Sequence, residues 1–265
     1  LYTYSKADTK RLSTTSIQGN QRTEGASLNS GTQVFSRLAR SDDGGVTWPV
    51  IRDVASVYSP VLSSPVMGID SKGTIHLAAL GLTGGQEQVV ATRTVNRGDS
   101  FEPDVQVSMA PKGRRRDLAI AVSPAGRVAV LWSDLRNATD LPENGEIFGA
   151  LANAGKDFSP EVQLIKPALK PPRQRYPSVS LTDAGELSVI FEEGIEKERR
   201  DRTVLRYAHS RTFGAEFAPA QTLFAKQVDN PSSAQLVTGR EGYLYLTCVG
   251  TLTDLGQPTV LAAQS

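Results

Sequence analysis

The chain is poor in cysteine and histidine, and this shortage excludes several kinds of site. Its 265 residues include one cysteine, Cys248, and two histidines, His76 and His209. A single cysteine cannot form a disulfide within the chain, and Cys248 stands in an apolar run that favours a buried, inert thiol. His76 lies in another apolar run and His209 directly before a turn, and the spaced motifs of zinc sites, phosphate-binding loops and serine hydrolases are missing. We therefore expect neither a metal site nor a cofactor.

The chain also lacks a large net charge and a long hydrophobic run. It carries 29 lysines and arginines against 28 aspartates and glutamates, for a formal net charge of +1. No overall field therefore favours nucleic acid or an anionic membrane as a partner. No apolar run reaches the roughly 18 residues of a membrane-spanning helix, and the start at Leu1 has no signal-peptide core. We expect no membrane span, and any signal peptide to be removed or to lie outside the sequence.

The chain does contain one short turn motif that occurs four times. The clearest copy, residues 41–48, reads S-x-D-x-G-x-T-W, and weaker copies occupy residues 94–101, 151–158 and 210–217. Their central glycines, at 45, 98, 155 and 214, are 53, 57 and 59 residues apart. Internal similarity at about 50 residues is typical of propeller blades or solenoid units. We refer to this motif below as the repeated turn.

Each position of the repeated turn has a structural explanation rather than a catalytic one. An aspartate or asparagine there accepts backbone N–H groups further along the turn, and the glycine adopts a positive φ. The aromatic residue that follows is expected to bury its ring between neighbouring units. The positions assigned to this structural role are Ser41, Asp43, Gly45, Trp48, Asn96, Gly98, Phe101, Asn153, Gly155, Phe158, Gly214 and Phe217.

Between the repeated turns, each unit shows one order of strands. In the third unit, residues 118–122 and 128–132 flank a tight glycine-containing turn, which indicates two antiparallel strands. A third strand precedes each repeated turn and a fourth follows it. Four antiparallel strands per unit, with almost no helical periodicity, predict an all-β fold, a β-propeller of four-stranded antiparallel blades. We label these strands A to D in chain order and expect strand A to lie nearest the central channel.

The pattern predicts about five blades in a single domain, residues 1–265. Their approximate bounds are 1–57, 58–113, 114–170, 171–226 and 227–265. Residues 1–5 align with strand B of the first blade and residues 259–265 with strand C of the fifth, which gives 18 strands. Because an open sheet edge exposes unpaired backbone, we expect the propeller to be incomplete at both ends. The chain is then part of a longer protein or of a larger assembly.

The repeated turn resembles the Asp-box, or bacterial neuraminidase repeat, of the sialidase superfamily. The resemblance extends over essentially the whole chain as a repeat pattern, and residues 41–48 carry the motif at full strength. It implies a sialidase-like propeller, and members of this superfamily typically have six blades. Asp-boxes also occur in propellers that are not sialidases, including sortilin-type receptors and photosystem assembly factors, so the resemblance implies a fold more directly than an activity.

Because strand direction alternates, the connections between strands sort onto two faces. The repeated turns and the tight A-to-B turns share one face. The B-to-C connections share the other and are long, as in residues 6–31, 134–146 and 192–202. Binding and catalysis concentrate in long loops on a rigid scaffold, so we expect the functional site on this long-loop face. The mixed-sign run 196–202 is interpreted as a solvated loop.

Charged residues stand at the start of strand A and the end of strand B on the long-loop face, around the expected mouth of the channel. Arginines there suit a carboxylate or phosphate, because a guanidinium can bind two oxygens together. The alternative, that these arginines pair with neighbouring acids as solvated surface, stays open. The candidate ligand-binding residues are Arg115, Arg116, Asp117, Asp134, Arg136, Arg175, Glu192 and Asp229.

One segment carries a further resemblance. Residues 175–193 look like the sialidase segment that begins with the nucleophilic tyrosine, which implies that Tyr176 is the catalytic residue. Such a tyrosine requires a nearby carboxylate to accept its phenolic proton. The F/Y-R-I-P motif that carries the family's first arginine is absent, and the first blade has no identifiable acid/base aspartate. We therefore expect no sialoside hydrolysis by this chain alone.

Two functional hypotheses follow. The first is a sialidase-like propeller outside the cytoplasm (secreted, periplasmic or on the cell surface) that binds a glycan or protein partner through its long-loop face. The second is an exo-glycosidase of sialidase type that acts on carboxylate-bearing sugars, with its first blade outside this sequence. A third reading, a structural array of blades inside a larger assembly, is suggested by the incomplete ring.

Overall fold

The structure, a computed structural model, describes residues 36–54, 65–83, 86–111, 113–137, 145–167, 173–197, 200–239, 242–253 and 256–264. The predicted strand at residues 1–5 and the predicted loop 6–31 lie outside these ranges. Within them the chain forms seventeen β-strands. They are β1 (Ser36–Arg40), β2 (Val50–Val54), β3 (Val66–Ile69), β4 (Ile75–Thr83), β5 (Gln86–Thr94), β6 (Val105–Gln106), β7 (Arg115–Val122), β8 (Val128–Asp134), β9 (Glu146–Ala152), β10 (Val162–Gln163), β11 (Gln174–Leu181), β12 (Leu187–Lys197), β13 (Arg200–Ser210), β14 (Gln221–Leu223), β15 (Val228–Thr238), β16 (Leu244–Leu252) and β17 (Pro258–Gln264).

The strands form five antiparallel sheets that follow one another along the chain. Sheet 1 pairs β1 with β2, sheet 2 has the order β3-β4-β5-β6, and sheet 3 has the order β10-β9-β8-β7. Sheet 4 has the order β11-β12-β13-β14, and sheet 5 the order β15-β16-β17. Each strand pairs with its neighbour in sequence, as the predicted order A to D requires. The outermost strands β6, β10 and β14 are only two or three residues long.

The first strands of consecutive sheets lie beside one another. Strand β7 contacts β3 on one side and β11 on the other, and β11 in turn contacts β15. These are the A strands of the prediction, and their mutual contacts put them at the centre of the arrangement. Their starts therefore meet at one end of this inner layer, on the predicted long-loop face.

The hydrophobic core is divided into layers, one between each pair of consecutive sheets. Between sheets 3 and 4, for example, Leu131 and Ile147 pack with Val189 and Phe191. Corresponding clusters join sheets 1 and 2, sheets 2 and 3, and sheets 4 and 5. Every residue of β8 and β9 is buried, because each of these strands is covered by a sheet on both faces. This explains why their sequences are nearly continuous apolar runs instead of alternating ones.

Three of the four repeated turns have the side-chain hydrogen bonds that the sequence predicts, whereas the third is closed by the backbone N–H of Lys156, which donates to the Asn153 carbonyl at 2.9 Å. Asp43 accepts the backbone N–H of Thr47 at 2.9 Å, and Ser41 Oγ accepts that of Gly45 at 2.7 Å. In the second turn, Asn96 Oδ1 accepts the N–H of Ser100 at 3.0 Å, and in the fourth, Ser210 Oγ accepts that of Gly214 at 3.0 Å. The central glycines all have positive φ, between 66° and 96°. These residues therefore hold the turns closed.

The aromatic residues of the repeated turns are less uniform than predicted. Phe101, Phe158 and Phe217 are half-buried, and each packs into the core layer between its own sheet and the preceding one. Trp48 is 46% exposed, so the prediction of a buried ring at this position is wrong. The physical reason is its place in the order of sheets. Trp48 belongs to sheet 1, and no sheet precedes sheet 1 within the residues that the structure describes.

The predicted long loop at residues 192–202 and the predicted solvated loop at 196–202 are also wrong over the described residues. Strands β12 and β13 continue as a regular antiparallel pair, in which Gly194 pairs with Thr203 and Lys197 with Arg200. The backbone forms an extended ladder there instead of an irregular loop, because β-pairing satisfies the backbone groups that a loop would leave to water. The hairpin projects beyond the end of the sheet on the long-loop face.

The unequal burial of the four aromatic residues predicts unequal effects on stability. Replacing Phe217 by alanine should lower the free energy of unfolding by about 2 kcal/mol, less than the roughly 3–5 kcal/mol of a fully buried ring. The Trp48→Ala variant should lose less than about 1 kcal/mol, as exposed residues do. Chemical denaturation of both variants measures the difference. A Trp48→Ala loss as large as that of Phe217→Ala would contradict the assigned order of sheets.

Candidate functional site

The inner strands share an irregularity at their starts, on the long-loop face. The pairing of β7 shifts register between Arg116 and Ala119, that of β11 between Arg175 and Ser178, and that of β15 before Gln235. A residue with positive φ occupies the equivalent place in each bulge. These residues are Asp117 (54°), Tyr176 (50°) and Ser233 (53°). Residues other than glycine adopt this conformation at a cost, and such strain concentrates at functional sites.

The bulge residue of one sheet is bonded to a carboxylate of the preceding sheet. The backbone N–H of Tyr176, in sheet 4, donates to Asp117 Oδ2, in sheet 3, at 3.3 Å. The N–H of Ser233, in sheet 5, donates to Glu192 Oε1, in sheet 4, at 3.1 Å. Two carboxylates are therefore fixed at the starts of the inner strands by the same contact, repeated one sheet further on. Ser133 Oγ gives Asp117 a further hydrogen bond at 3.1 Å.

The two carboxyl groups share an unusual electrostatic environment. Burial raises the pKa of the Asp117 carboxyl, although the N–H of Tyr176, the Ser133 hydroxyl and the charges of Arg116 and Arg175 oppose this effect. Burial likewise raises the pKa of Glu192; Arg175 and the Ser233 N–H oppose it, whereas the negative charge of Asp117 adds to it. Since each carboxylate responds to Arg175 and Glu192 responds to Asp117, these groups form one electrostatic unit.

Arg175 and Tyr176 complete this group. Arg175 Nε lies 3.3 Å from Glu192 Oε2, and its Nη2 donates to Thr203 Oγ1 at 3.3 Å. The guanidinium carbon lies 5.5 Å from the centre of the Tyr176 ring, within the range of a cation–π contact. The Tyr176 side chain remains accessible, with 37% of the residue exposed. We call Arg116, Asp117, Arg175, Tyr176 and Glu192 the mouth cluster.

Three other predicted ligand-binding residues lie in an internal ionic network instead. Arg136 donates to both oxygens of Asp134, at 2.6 and 2.9 Å, and lies 2.9 Å from Glu161 Oε1. Its guanidinium also covers the Phe148 ring at 4.1 Å. Burial alone would raise the pKa of Asp134, but hydrogen bonds from Arg136 and Trp132 lower it.

Arg115 belongs to the same network and is fully buried. Its guanidinium donates to the backbone carbonyls of Glu87, Gly113 and Ala110, and its Nε lies 3.6 Å from Asp134 Oδ2. We had placed Arg115 with Asp134 and Arg136 among residues that converge at the channel mouth. The structure instead uses their charged groups to join sheet 3 to sheet 2, because buried charges require partners inside the protein.

Asp229 stands apart from the mouth cluster in a different pairing. Its carboxylate accepts a hydrogen bond from Arg202 Nη1 at 2.9 Å. Both residues line a cavity of about 290 Å³ between sheets 4 and 5. The sequence placed Asp229 just before strand A, which is wrong, because strand β15 already begins at Val228, ahead of its bulges.

Sequence analysis missed Ser133 and Ser233, which contribute to the site. Ser133 supports Asp117 through its hydroxyl, and Ser233 supports Glu192 through its backbone N–H. A serine inside a strand pattern carries no signal of such a contact. The position of Ser233 could have been found by aligning it with Asp117 and Tyr176, because the three residues occupy the same place in successive units.

Comparisons with solved structures place this fold among the propeller glycosidases. A Penicillium chrysogenum α-L-arabinanase complexed with arabinobiose is 16% identical, with a TM-score of 0.57 and coverage of 86% of this chain and 72% of that chain. A GH93 α-L-arabinofuranosidase of Fusarium graminearum, also with arabinobiose, is 15% identical, with a TM-score of 0.61 and coverage of 85% of this chain and 72% of that chain. The Trypanosoma rangeli sialidase in complex with sialic acid is 12% identical, with a TM-score of 0.53 and coverage of 87% of this chain and 38% of that chain.

These likenesses confirm the predicted fold class, an all-β propeller of four-stranded antiparallel sheets of the type found in sialidases and GH93 arabinanases. At identities this low they concern the fold alone. No protein-family model matches the chain, and no curated protein matches it either. In the part of the chain that is described, no helix is long and apolar enough to cross a membrane.

The raised pKa values of the mouth cluster predict a pH dependence of stability. The folded protein holds protons on Asp117 and Glu192 above the ordinary pKa values of 3.8 and 4.5. The unfolded chain releases these protons in that pH range. The stabilisation that the bound protons provide is therefore fully present below the ordinary pKa values and declines as pH rises through the raised ones. Asp117→Asn keeps an oxygen for Ser133 and Tyr176 but cannot ionise. Denaturation at pH 4 and pH 7 should therefore show a smaller decline in the variant than in the wild type.

Asp43→Asn is the matched control, because hydrogen bonds from Ser41 and Thr47 lower the pKa of Asp43. The ionised Asp43 carboxylate therefore stabilises the folded state above pH 3.8, and this stabilisation is lost on acidification. The control should thus lose stability at pH 7, the opposite of the effect expected for Asp117→Asn. Equal declines in the wild type and Asp117→Asn would contradict the environment assigned to Asp117.

Proposed function

We propose that the protein is a glycan-binding propeller whose mouth cluster contacts the sugar. The observation that carries this proposal is the convergence of Arg116, Asp117, Arg175, Tyr176 and Glu192 from two neighbouring sheets at the start of the inner strands. The cluster combines hydrogen-bond donors, acceptors and an accessible aromatic ring. Sugars need this combination, since they present hydroxyl groups at their edges and C–H groups on their ring faces.

The neighbouring structures support a glycan over other ligands. The arabinanase and the arabinofuranosidase are complexed with arabinobiose, and the trypanosomal sialidase with sialic acid. A propeller of this type thus holds both neutral and acidic sugars. In this chain the arginines of the cluster can bind the carboxylate of an acidic sugar, and the two carboxyl groups can accept hydrogen bonds from sugar hydroxyls. We propose that the preferred partner is a free glycan, and that the second candidate is a protein that carries such a glycan.

We further propose that the repeated turns are Asp-boxes and that the protein acts outside the cytoplasm, secreted, periplasmic or on the cell surface. The hydrogen bonds of Ser41 and Asp43, with their counterparts in the later turns, support the first part. Likeness to a glycoside hydrolase, the α-L-arabinanase, supports the second. In this proposal the turns stabilise the scaffold and the opposite, long-loop face binds the ligand.

A second function, hydrolysis of a glycosidic bond, is favoured by one observation. The Tyr176 N–H bonds to Asp117, and Arg175, beside the Tyr176 ring, pairs with Glu192. Burial raises the pKa of both carboxyls, and a raised carboxyl pKa is what a general acid needs near neutral pH. If this site is catalytic, Asp117 and Glu192 are the proton carriers and Tyr176 is the nucleophile. The activity would be that of an exo-glycosidase of sialidase type on carboxylate-bearing sugars.

Calorimetric titration with sialic acid and with arabinobiose tests the binding proposal, one sugar acidic and the other neutral. At least one should bind, and Arg175→Ala should weaken that binding by about 1.5–3 kcal/mol, because a charge-assisted hydrogen bond is lost. The control is Arg211→Ala, since Arg211 is exposed directly after Ser210 on the face of the repeated turns. Binding of neither sugar, or an equal loss in both variants, would contradict the proposal.

A fluorogenic sialoside distinguishes binding from catalysis. We expect no turnover by this chain, because the family's first arginine motif and its acid/base aspartate are not in the sequence. Measured hydrolysis that disappears in Tyr176→Phe would replace the binding proposal with the enzyme. Hydrolysis that persists in that variant would exclude Tyr176 as the nucleophile.

A further inference from the structure

A groove of about 1150 Å³ runs between sheets 3 and 4. One wall is formed by the repeated turn and outer strand of sheet 3, residues 156–166. The other wall is formed by residues 213–220 of sheet 4, and the base by Gln174, Glu193 and Arg206. Ligand clefts usually measure about 300–1000 Å³, so the groove has room for a chain of several sugar units.

Two buried donors at the base of the groove lack hydrogen bonds. Gln174 is fully buried; its Oε1 accepts the N–H of Ile147 at 3.2 Å, but its Nε2 has no partner among the described residues. Arg206 Nε forms an ion pair with Glu193 Oε2 at 2.8 Å without the geometry of a hydrogen bond, and Arg206 Nη1 donates to Thr222 Oγ1. An orphaned donor such as Gln174 Nε2 is rare in folded proteins and costly. An oxygen acceptor in the groove would satisfy it.

The corresponding place between sheets 2 and 3 shows that the fold does not require this groove. By strand register, Arg115 occupies the position of Gln174, and Asp134 that of Glu193. There Arg115 extends to three backbone carbonyls, and although its Nε also lacks a hydrogen bond, its other nitrogens are paired. Phe148 fills the position of Arg206.

The walls of the groove identify the kind of ligand. Phe158, Phe213 and Phe217 present half-buried aromatic rings to it. Lysine and carboxylate side chains along the rim include charges of both signs, so no net charge selects a strongly ionic ligand. Aromatic surface combined with unpaired donors suits a molecule with apolar C–H faces and many hydroxyl oxygens. An oligosaccharide has this chemistry.

We infer that the groove between sheets 3 and 4 is a second glycan site, which holds an oligosaccharide through Gln174 and Arg206. The walls of the groove belong to the outer strands and repeated turns of the two sheets, whereas its base reaches Gln174, which directly precedes Arg175 of the mouth cluster. The two sites use different residues. A polymer bound in the groove would keep the protein on its glycan while the mouth cluster engages a terminal sugar, and either site can bind without the other.

The experiment blocks the groove from its surface. Ala218 is exposed and lines the groove, so Ala218→Trp fills it without changing the backbone hydrogen bond from Ala218 N to His209 O. Arg206→Lys removes the planar guanidinium at the base of the groove but keeps the positive charge beside Glu193. The matched control is Glu102→Trp, since Glu102 follows Phe101 as Ala218 follows Phe217. Arg175→Ala, in the mouth cluster, is the second control.

The probe is a printed array of neutral and acidic oligosaccharides, followed by titration of the strongest ligand. We expect a ligand whose affinity falls at least about tenfold in both Ala218→Trp and Arg206→Lys, the effect of losing one hydrogen bond of about 1.4 kcal/mol. Its affinity should be retained in Glu102→Trp and Arg175→Ala. Thermal unfolding of each variant verifies that it is folded. If one of the two groove variants does not fold, the other is enough to test the inference.

Two results would overturn the inference. One is an array without any ligand that depends on the groove variants. The other is a set of ligands whose binding is lost in Arg175→Ala alone, which would leave the mouth cluster as the glycan site and the groove filled by water. The proposed function fails separately, because a ligand that is retained in Arg175→Ala and lost in Ala218→Trp supports the groove and not the mouth cluster.

Discussion

The structure depends on the face-to-face packing of consecutive sheets. Strands β8 and β9 are buried along their whole length because sheets 2 and 4 cover both faces of sheet 3. At roughly 25 cal/mol per Å² of apolar surface, this burial is the dominant stabilising contribution. Each sheet is therefore held by its two neighbours, and their packing fixes where its inner strand starts. The repeated turns stabilise individual sheets, but the order of the sheets comes from these core layers.

The candidate site follows from this constraint. Once the inner strands lie side by side, a bulge at the same place in each brings Asp117, Tyr176 and Ser233 to equivalent positions. The N–H groups of Tyr176 and Ser233 then meet carboxylates of the preceding sheets, so the bulges also join one sheet to the next. Strained residues and buried carboxyl groups reduce stability, and proteins retain such features where they serve a function. The strain and the buried carboxyl groups of the mouth cluster therefore lower the stability of the fold at this place.

The fold could be predicted in detail because it rests on local patterns that repeat. The glycine spacing, the turn residues and the apolar runs are all local, and they led to the observed strand order and to the bonds of Asp43. The burial of Trp48 was predicted incorrectly because a ring in one turn is covered by another sheet, which lies outside its own repeat. The hairpin of β12 and β13 was missed because charge alternation is compatible with both a loop and an exposed ladder.

The site could be predicted only in part, for a different reason. Charged residues before strand A pointed to the correct region, and the structure brings Asp117, Arg175, Tyr176 and Glu192 together there. The sequence could not separate these residues from Arg115 and Asp134, which stand at the corresponding strand ends but are buried in a network with Arg136. The bulge separates them in β7, because the buried Arg115 lies before it and the half-buried Asp117 lies within it. Neither a bulge nor a buried ion pair has a local sequence signal.

The central claim is that the bulges of the inner strands build a glycan site, and the backbone amides of Tyr176 and Ser233 report on it directly. Both N–H groups donate to carboxylates of the proposed site, so a sugar that contacts Asp117 or Glu192 must change their chemical shifts. An NMR titration of the ¹⁵N-labelled protein with sialic acid or arabinobiose should shift both resonances along a single saturation curve and leave Gly45, in the first repeated turn, unchanged. Absence of any shift at Tyr176 and Ser233 with both sugars, or shifts confined to the repeated turns, would contradict the claim.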